Sequence, residues 1–348
     1  MRKLLVIIAA VVAISPLFAD LPQKHLTIHA VGDIMMGTLY PHQILPPKNG
    51  KDIFLDVEPY LKAESPDLVL GNLEGALCDY PHTSKRVSAG RVYAFRMPPH
   101  YALYLKAAGF TVLSFANNHS SDFGYKGSRE TRNYIKAAGI DIFGDKGEIL
   151  YLEKNGIKIA LIAYSYLGGH NSILDLPAAR SLIAKAKANS DIVVLSVHGG
   201  AEGEGAMRVV NKMEYMLGEP RGNMVGFSRG AIDAGADLIL GHGPHIPRAM
   251  EIYKNRLIAY SLGNFLTYTM STSGNKKVTL ILRVSLKENG EFASGRIIPL
   301  IQHSGGILNG IPYFDKNAVA VKLIKKLSRE DIPGNLLEIT EDGQLIKK

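Results

Sequence analysis

The chain has 348 residues, 46% of them hydrophobic and 21% charged, enough to bury a substantial core as one large α/β domain or a domain with an appendage. Its single cysteine, Cys78, excludes an internal disulfide and a cysteine-based zinc site. The net charge of +8 is either a solvated basic surface or an attraction for polyanions, and the dispersed Lys and Arg, with no recognition helix, argue against nucleic acid.

Residues 1–19 read as a targeting segment. Arg2 and Lys3 precede an apolar stretch, 4–14, that is short for a bilayer span; Ser15-Pro16 breaks it, and Ala19 offers a small residue before Asp20. The expectation is export to the periplasm or cell surface, with an uncleaved N-terminal anchor as the alternative. Strand 26–31 then ends at Gly32-Asp33, and 52–61 is expected as a short helix. Strand 67–70 runs into Gly71-Asn72-Leu73-Glu74 and is followed by a polar insertion, 79–93, carrying Arg86 and Arg91. Helix 98–108 has Pro in its first turn and stops at Gly109; strand 110–116 follows, then helix 125–138, closed by Gly139. Asn155-Gly156 marks a hairpin between 151–153 and 157–164. Helix 178–188, strand 191–197, a Gly, Glu and Met-rich stretch at 202–222, helix 223–234 and strand 236–240 come next. Hairpins 250–253/257–260 and 278–286/296–301 complete the series. This alternation predicts mixed sheets with helices outside.

Six short polar clusters follow apolar β runs: Gly32-Asp33, Gly71-Asn72-Leu73-Glu74, Asn117-Asn118-His119, His198-Gly199-Gly200, Gly241-His242-Gly243-Pro244-His245 and Ser261-Leu262-Gly263-Asn264. In an open α/β sheet the C-terminal strand ends gather the chemistry, so the six read as one site. Carboxylate, amide oxygen and imidazole without thiolate is the donor set of a hard-to-borderline metal. The pair His242 and His245, in a loop stiffened by Pro and freed by Gly, can aim both rings at one point or at two metals. Asn118 can ligate a metal and His119 can give or take a proton. Asp122 can hold that imidazole in one tautomer or cap the following helix. Glu202 is a base, a ligand partner or a solvated loop residue. Asn264 either bonds substrate or braces the histidine loop. No nucleophile elbow, phosphate-binding loop or dinucleotide fingerprint is present.

Nine motifs in order resemble the CapA family of poly-γ-glutamate capsule biosynthesis proteins, related to calcineurin-like metallophosphatases. They are Gly32-Asp33-Ile34-Met35, Asn72-Leu73-Glu74-Gly75, Ala116-Asn117-Asn118-His119, Asp122-x-Gly124, His198-Gly199-Gly200-Ala201-Glu202-Gly203, Gly218-Glu219-Pro220-Arg221-Gly222, Asp233-Ala234-Gly235-Ala236-Asp237, Gly241-His242-Gly243-Pro244-His245 and Tyr260-Ser261-Leu262-Gly263-Asn264-Phe265. The resemblance spans residues 26–303 and implies a four-layer α/β/β/α sandwich. It implies Asp33, Glu74, Asn118, His198, His242 and His245 as metal ligands, with Glu74 bridging, and His119 as proton donor. Two departures stand out. Met35 occupies the position of a metallophosphatase histidine, and the last two histidines are separated by two residues rather than one.

The expected protein is therefore a CapA-like domain over 20–310 with a C-terminal extension at 311–348. One or two divalent ions (Mn, Fe or Zn) would lower the pKa of a water for attack on a phosphoester or amide. His119, Asp122 and Glu202 form the catalytic set. Asn117, Arg221 and Asn264 are candidates for substrate, as are Arg86 and Arg91. Expected partners are an anionic polymer or phosphoester and membrane-bound synthesis machinery. The alternative is a non-catalytic polymer-binding or export-assisting component, favoured by Met35.

Overall fold

Strand Ile192–His198 is buried along its whole length, and its side chains alternate between two cores. Ile192 and Val194 enter one; Val193, Leu195 and Val197 enter another. A strand covered on both faces reads as a continuous apolar run, which is why this segment is legible in sequence. The computed structural model describes residues 24–83, 85, 87, 92–268 and 270–348; the 1–19 segment, Arg86 and Arg91 lie outside them. Among the described residues, no helix is long and apolar enough to cross a membrane.

Two sheets stack face to face. In the first, the order is Leu337–Ile339, Gln344–Lys347, Phe292–Gln302, Val278–Lys287, His25–Met35, Leu68–Leu73, Val112–Ser114 and Asp141–Phe143. In the second it is Met250–Tyr253, Arg256–Ala259, Leu238–His242, Ile192–His198, Ile157–Ser165 and Leu150–Lys154. The central strands of each are parallel, so their C-terminal ends share one edge. Leu26, Ile28, Leu68, Leu70, Ile192, Val194, Leu238 and Leu240 fill the space between the sheets. Helices Tyr101–Ala108 and Gly124–Ala137 cover the outer face of the first sheet, and Leu176–Lys187 and Met224–Asp233 that of the second. The result is a four-layer α/β/β/α sandwich.

Two segments depart from expectation. Within 52–61 only Glu58–Lys62 is α-helical. Pro59 stands in its first turn, and the preceding bonds, such as Val57 N to Phe54 O, close tighter three-residue turns. The 311–348 segment, expected as an extension, is built into the core. Gln344–Lys347 pairs with Phe292–Gln302, and helix Val319–Asp331 inserts Ala320, Val321 and Ile324 between the sheets. Those positions form one apolar stripe at helical spacing.

The strand His25–Met35 carries an irregularity that sets the site. Leu26, Ile28 and Ala30 face the inter-sheet core, while Val31 and Ile34 face the helices. Pairing with Leu68–Leu73 slips between Ala30 and Asp33. An unbroken strand would send Asp33 to the same side as Val31; the slip returns it to the inter-sheet side. Gly32 permits this, since a Cβ there would sit 1.8 Å from the Gly263 carbonyl oxygen.

Candidate metal centre

The site continues the inter-sheet core past the point where its apolar residues end. Asn72 and Glu74 follow Leu68 and Leu70 on the same strand face; His198 follows Ile192 and Val194; His242 follows Leu238 and Leu240. Register then aligns them. Asp33 is opposite Asn72 on one side and Asn264 on the other, and His198 is opposite His242.

Asp33, fully buried, is the hub. Its Oδ1 accepts from Asn72 Nδ2 at 2.8 Å, and its Oδ2 from His245 Nδ1 at 3.1 Å. His242 Nδ1 lies 3.4 Å from Oδ1. Glu74 Oε2 is 3.7 Å from His245 Nδ1, and its Oε1 is 3.7 Å from His198 Nε2, both too long for hydrogen bonds. Oxygen and nitrogen atoms of Asp33, Glu74 and His245 lie within 4.8 Å of one another. His245 is held at φ +60 in the left-handed region, and Asn264 Oδ1 also accepts from its Nδ1, at 3.0 Å.

The protonation pattern follows from burial and crowding. Burial would raise the Asp33 carboxyl, but the close His242 imidazole and the hydrogen bond and charge of His245 hold it well below the usual carboxylate range. Glu74 is driven well above that range by burial and by Asp33 beside it. Burial pushes His198 well below the ordinary imidazole value. His245 goes the other way: burial opposes its charge, yet Glu74 and Asp33 outweigh that and push it up to about 10.

Several buried donor atoms have no hydrogen-bond partner: Glu74 Oε1, Asn118 Oδ1, His198 Nε2 and both ring nitrogens of His242. Leaving such a group unsatisfied costs about 1–3 kcal/mol each. A cation bound among them would take Glu74 Oε1, Asn118 Oδ1, His198 Nε2 and one nitrogen of His242 as ligands, and carboxylate, amide and imidazole suit a first-row divalent ion. The residues present therefore fit a metal. Cys78 lies in a separate apolar cluster with Ala76, Ala94 and Phe123, and Met35 Sδ accepts a bond from Gly37 N, so neither joins the donor set.

Beside the donors stands a buried imidazole–carboxylate pair. His119 Nδ1 donates to Asp122 Oδ2 at 2.9 Å, and Phe95 packs against the imidazole at 4.5 Å. Burial lowers the His119 imidazole, with Asp122 opposing. Asp122 thus orients His119 and is itself fully buried; it is not free to meet a substrate.

Three sequence expectations change. Asn117, proposed for substrate, spends its amide inside the wall: Nδ2 donates to Asn72 Oδ1 and the Leu73 carbonyl, and Oδ1 accepts from His119 N. Arg221, also proposed for substrate, is paired with Glu202 at 2.8 Å and Glu219 at 3.1 Å, and its guanidinium lies 4.1 Å over the Tyr166 ring. Glu202 is thereby engaged as an ion-pair partner rather than poised as a base. Asn264 braces His245. The sequence reading missed Asn72 as a brace, though its spacing two before Glu74 places both on one strand face. It also missed Tyr166, stacked near His198 at 6.2 Å, and Arg248, fully buried with Glu214 beneath the turn after His198. No local signal marks those two.

The chain is 31% identical to the "Capsule biosynthesis protein CapA" of Bacillus anthracis, over 88% of this chain and 76% of that protein. It is 30% identical to the "PGA biosynthesis protein CapA" of Bacillus subtilis strain 168, over 90% and 80%. Among solved structures, Haemophilus influenzae NAD nucleotidase overlaps with TM-score 0.44 at 15% identity, covering 93% of this chain and 54% of that one. A purple acid phosphatase from yellow lupin overlaps with TM-score 0.41 at 9% identity, covering 86% and 55%. The chain spans about half the length of those two solved chains. The family model described as "Bacterial capsule synthesis protein PGA_cap" matches residues 27–269, and the chain belongs to that family.

Proposed function

We propose that this protein is a divalent-metal-dependent hydrolase of an anionic envelope polymer or its phosphoester precursors, exported by its N-terminal segment. The observation that carries the reading is the set of buried, partnerless donor atoms on Glu74, Asn118, His198 and His242, of which those on Glu74, His198 and His242 converge with Asp33 and His245. Those six side chains would hold one or two ions such as Mn, Fe or Zn. When bound, such an ion polarises a phosphoryl or carbonyl oxygen and lowers the pKa of water. The chain's own contribution is orientation and proton handling. Asn72 and Asn264 fix Asp33 and His245, and Asp122 fixes His119 so that Nε2 is the nitrogen left to exchange a proton with a leaving group. The net charge of +8 favours a polyanionic substrate, and poly-γ-glutamate is the polymer named for a relative as "PGA".

A second reading, a polymer-binding component without turnover, is favoured by Met35 standing where a metallophosphatase has a ligand histidine. The two separate in one experiment. Metal-reconstituted protein is screened with phosphoesters and γ-glutamyl amides beside His119→Ala. Hydrolysis lost in the variant, with metal and polymer binding intact, supports the enzyme. Polymer binding with no hydrolysis of either substrate class supports the binder.

A further inference from the structure

One carboxylate ties Thr83 and Lys85 of the 79–93 insertion, and Phe95 just after it, to the site. Thr83 Oγ1 donates to the Asp122 carbonyl at 2.5 Å, and Phe95 N donates to Asp122 Oδ2 at 2.6 Å. Lys85 Nζ makes an ion pair with Asp122 Oδ1. The same ammonium donates to the carbonyls of Asn118 at 2.9 Å and Tyr93 at 3.2 Å. Two carbonyls take its hydrogen bonds and a carboxylate pairs its charge, so Lys85 is not a free cation awaiting an anion. Asp122 Oδ1 is buried and has no hydrogen bond, so Lys85 is the group that compensates it.

The arrangement also decides which ring nitrogen of His119 carries hydrogen. Its Nδ1 lies 2.9 Å from Asp122 Oδ2 and 3.5 Å from Lys85 Nζ. The carboxylate only accepts and the ammonium only donates. Nδ1 can therefore bear a hydrogen toward Asp122 or accept one from Lys85, and the shorter contact selects the first.

We propose that Lys85 is a positioning residue for His119: by occupying Asp122 Oδ1 it fixes the carboxylate so that Oδ2 holds the imidazole as its Nδ1–H tautomer, with Nε2 left to the cleft. The proposal rests on the reading of His119 as the proton-exchanging group. Lys85 acts through Asp122; its contact with the proposed ligand Asn118 is to the backbone carbonyl. A lysine that merely pinned the insertion would leave the imidazole unchanged when replaced.

The test is a long-range nitrogen–proton correlation spectrum of the full-length, chelator-treated protein carrying nitrogen-15 histidine, at about pH 8 where an ordinary imidazole is neutral. His119 is assigned by the signal missing in His119→Gln. The wild type should show a single Nδ1–H pattern. Lys85→Met should convert it to a mixture of tautomers, Lys85→Arg should restore it, and Thr83→Val, which cuts the other side-chain tie, should leave it intact. Lys85→Gln serves if Met disturbs folding by circular dichroism. A pure Nδ1–H pattern in the folded Lys85 variants, or an Nε2–H pattern in the wild type, overturns the proposal. Because the spectrum needs neither metal nor turnover, failure of the hydrolase reading would appear separately, as absent metal or absent hydrolysis.

Discussion

On the first-sheet wall of the centre a relay of polar side chains around Asp33 is satisfied internally, while Glu74 Oε1 and Asn118 Oδ1 have no partner. Asn117 donates to Asn72, Asn72 donates to Asp33, and Asp33 accepts in turn from His245. On the second-sheet wall, His198 Nε2 and both nitrogens of His242 have no hydrogen-bond partner. Both walls are buried, so both must offset the loss of water. The first does so largely internally. The second leaves imidazole nitrogens open, and two imidazoles opposite two carboxylates suit a cation. The contrast separates the walls: the first is mostly a pre-set brace, the second mostly open donors.

Removing a waiting donor should have the largest effect. His242→Ala should lower the affinity for Mn or Zn by more than the ~10–100-fold typical of losing a supporting partner. Equilibrium dialysis measures it, and unchanged affinity would remove the distinction between the walls. Next comes the support under the second wall. Arg248 is fully buried, and its guanidinium bonds Glu214 at 2.8 and 3.0 Å and the Ala201 carbonyl at 2.9 Å. Arg248→Met leaves Glu214 uncompensated and should cost about 3–5 kcal/mol in a urea melt, whereas Lys325→Met, at an exposed pair with Glu341, should change nothing measurable. Equal effects would show that the buried pair does not hold the turn after His198. A brace on the first wall ranks third: Asn72→Ala should weaken metal binding ~10–100-fold while the fold persists. A loss as large as that of His242→Ala would erase the division of labour.

The smallest effect is a pH slope. In metal-free protein the His245 imidazole is pushed up to about 10 from an ordinary 6.5, and Glu74 is raised as well. A raised value means the folded state holds more protons than the unfolded chain. That stabilisation is complete below about pH 6.5 and is lost as pH climbs toward about 10. Urea melts of chelator-treated protein should show falling stability across this window. Saturating metal displaces those protons and should flatten the slope. A metal-free protein whose stability is level or rises from pH 6.5 to 10 would contradict the assignment of His245 between two carboxylates.

Much of this was legible in the chain because it depends on short-range pattern. The hairpin at Asn155-Gly156 closes as its turn residues demand, pairing Leu150–Lys154 with Ile157–Ser165. The parity of strand positions carries Asn72, Glu74, His198 and His242 onto the face of the inter-sheet core. Asp33 breaks that parity, and its signal was Gly32, which alone accepts contact with the Gly263 carbonyl. What escaped was long-range satisfaction. Whether Arg221 is free or paired depends on Glu202 and Glu219, and whether Asn117 faces substrate or the wall depends on Asn72, 45 positions away. Lys85 gave no signal at all, because its partners Asn118 and Asp122 lie beyond a helix and two strands.

The most direct test of the account is metal content of the full-length protein by elemental analysis, beside His242→Ala and Asp33→Ala. The account predicts about one or two equivalents of Mn, Fe or Zn in the wild type and a near-complete loss in both variants. A wild type that stays metal-free after reconstitution at neutral pH, with both variants folded and indistinguishable from it, would contradict the claim that these donors wait for a cation.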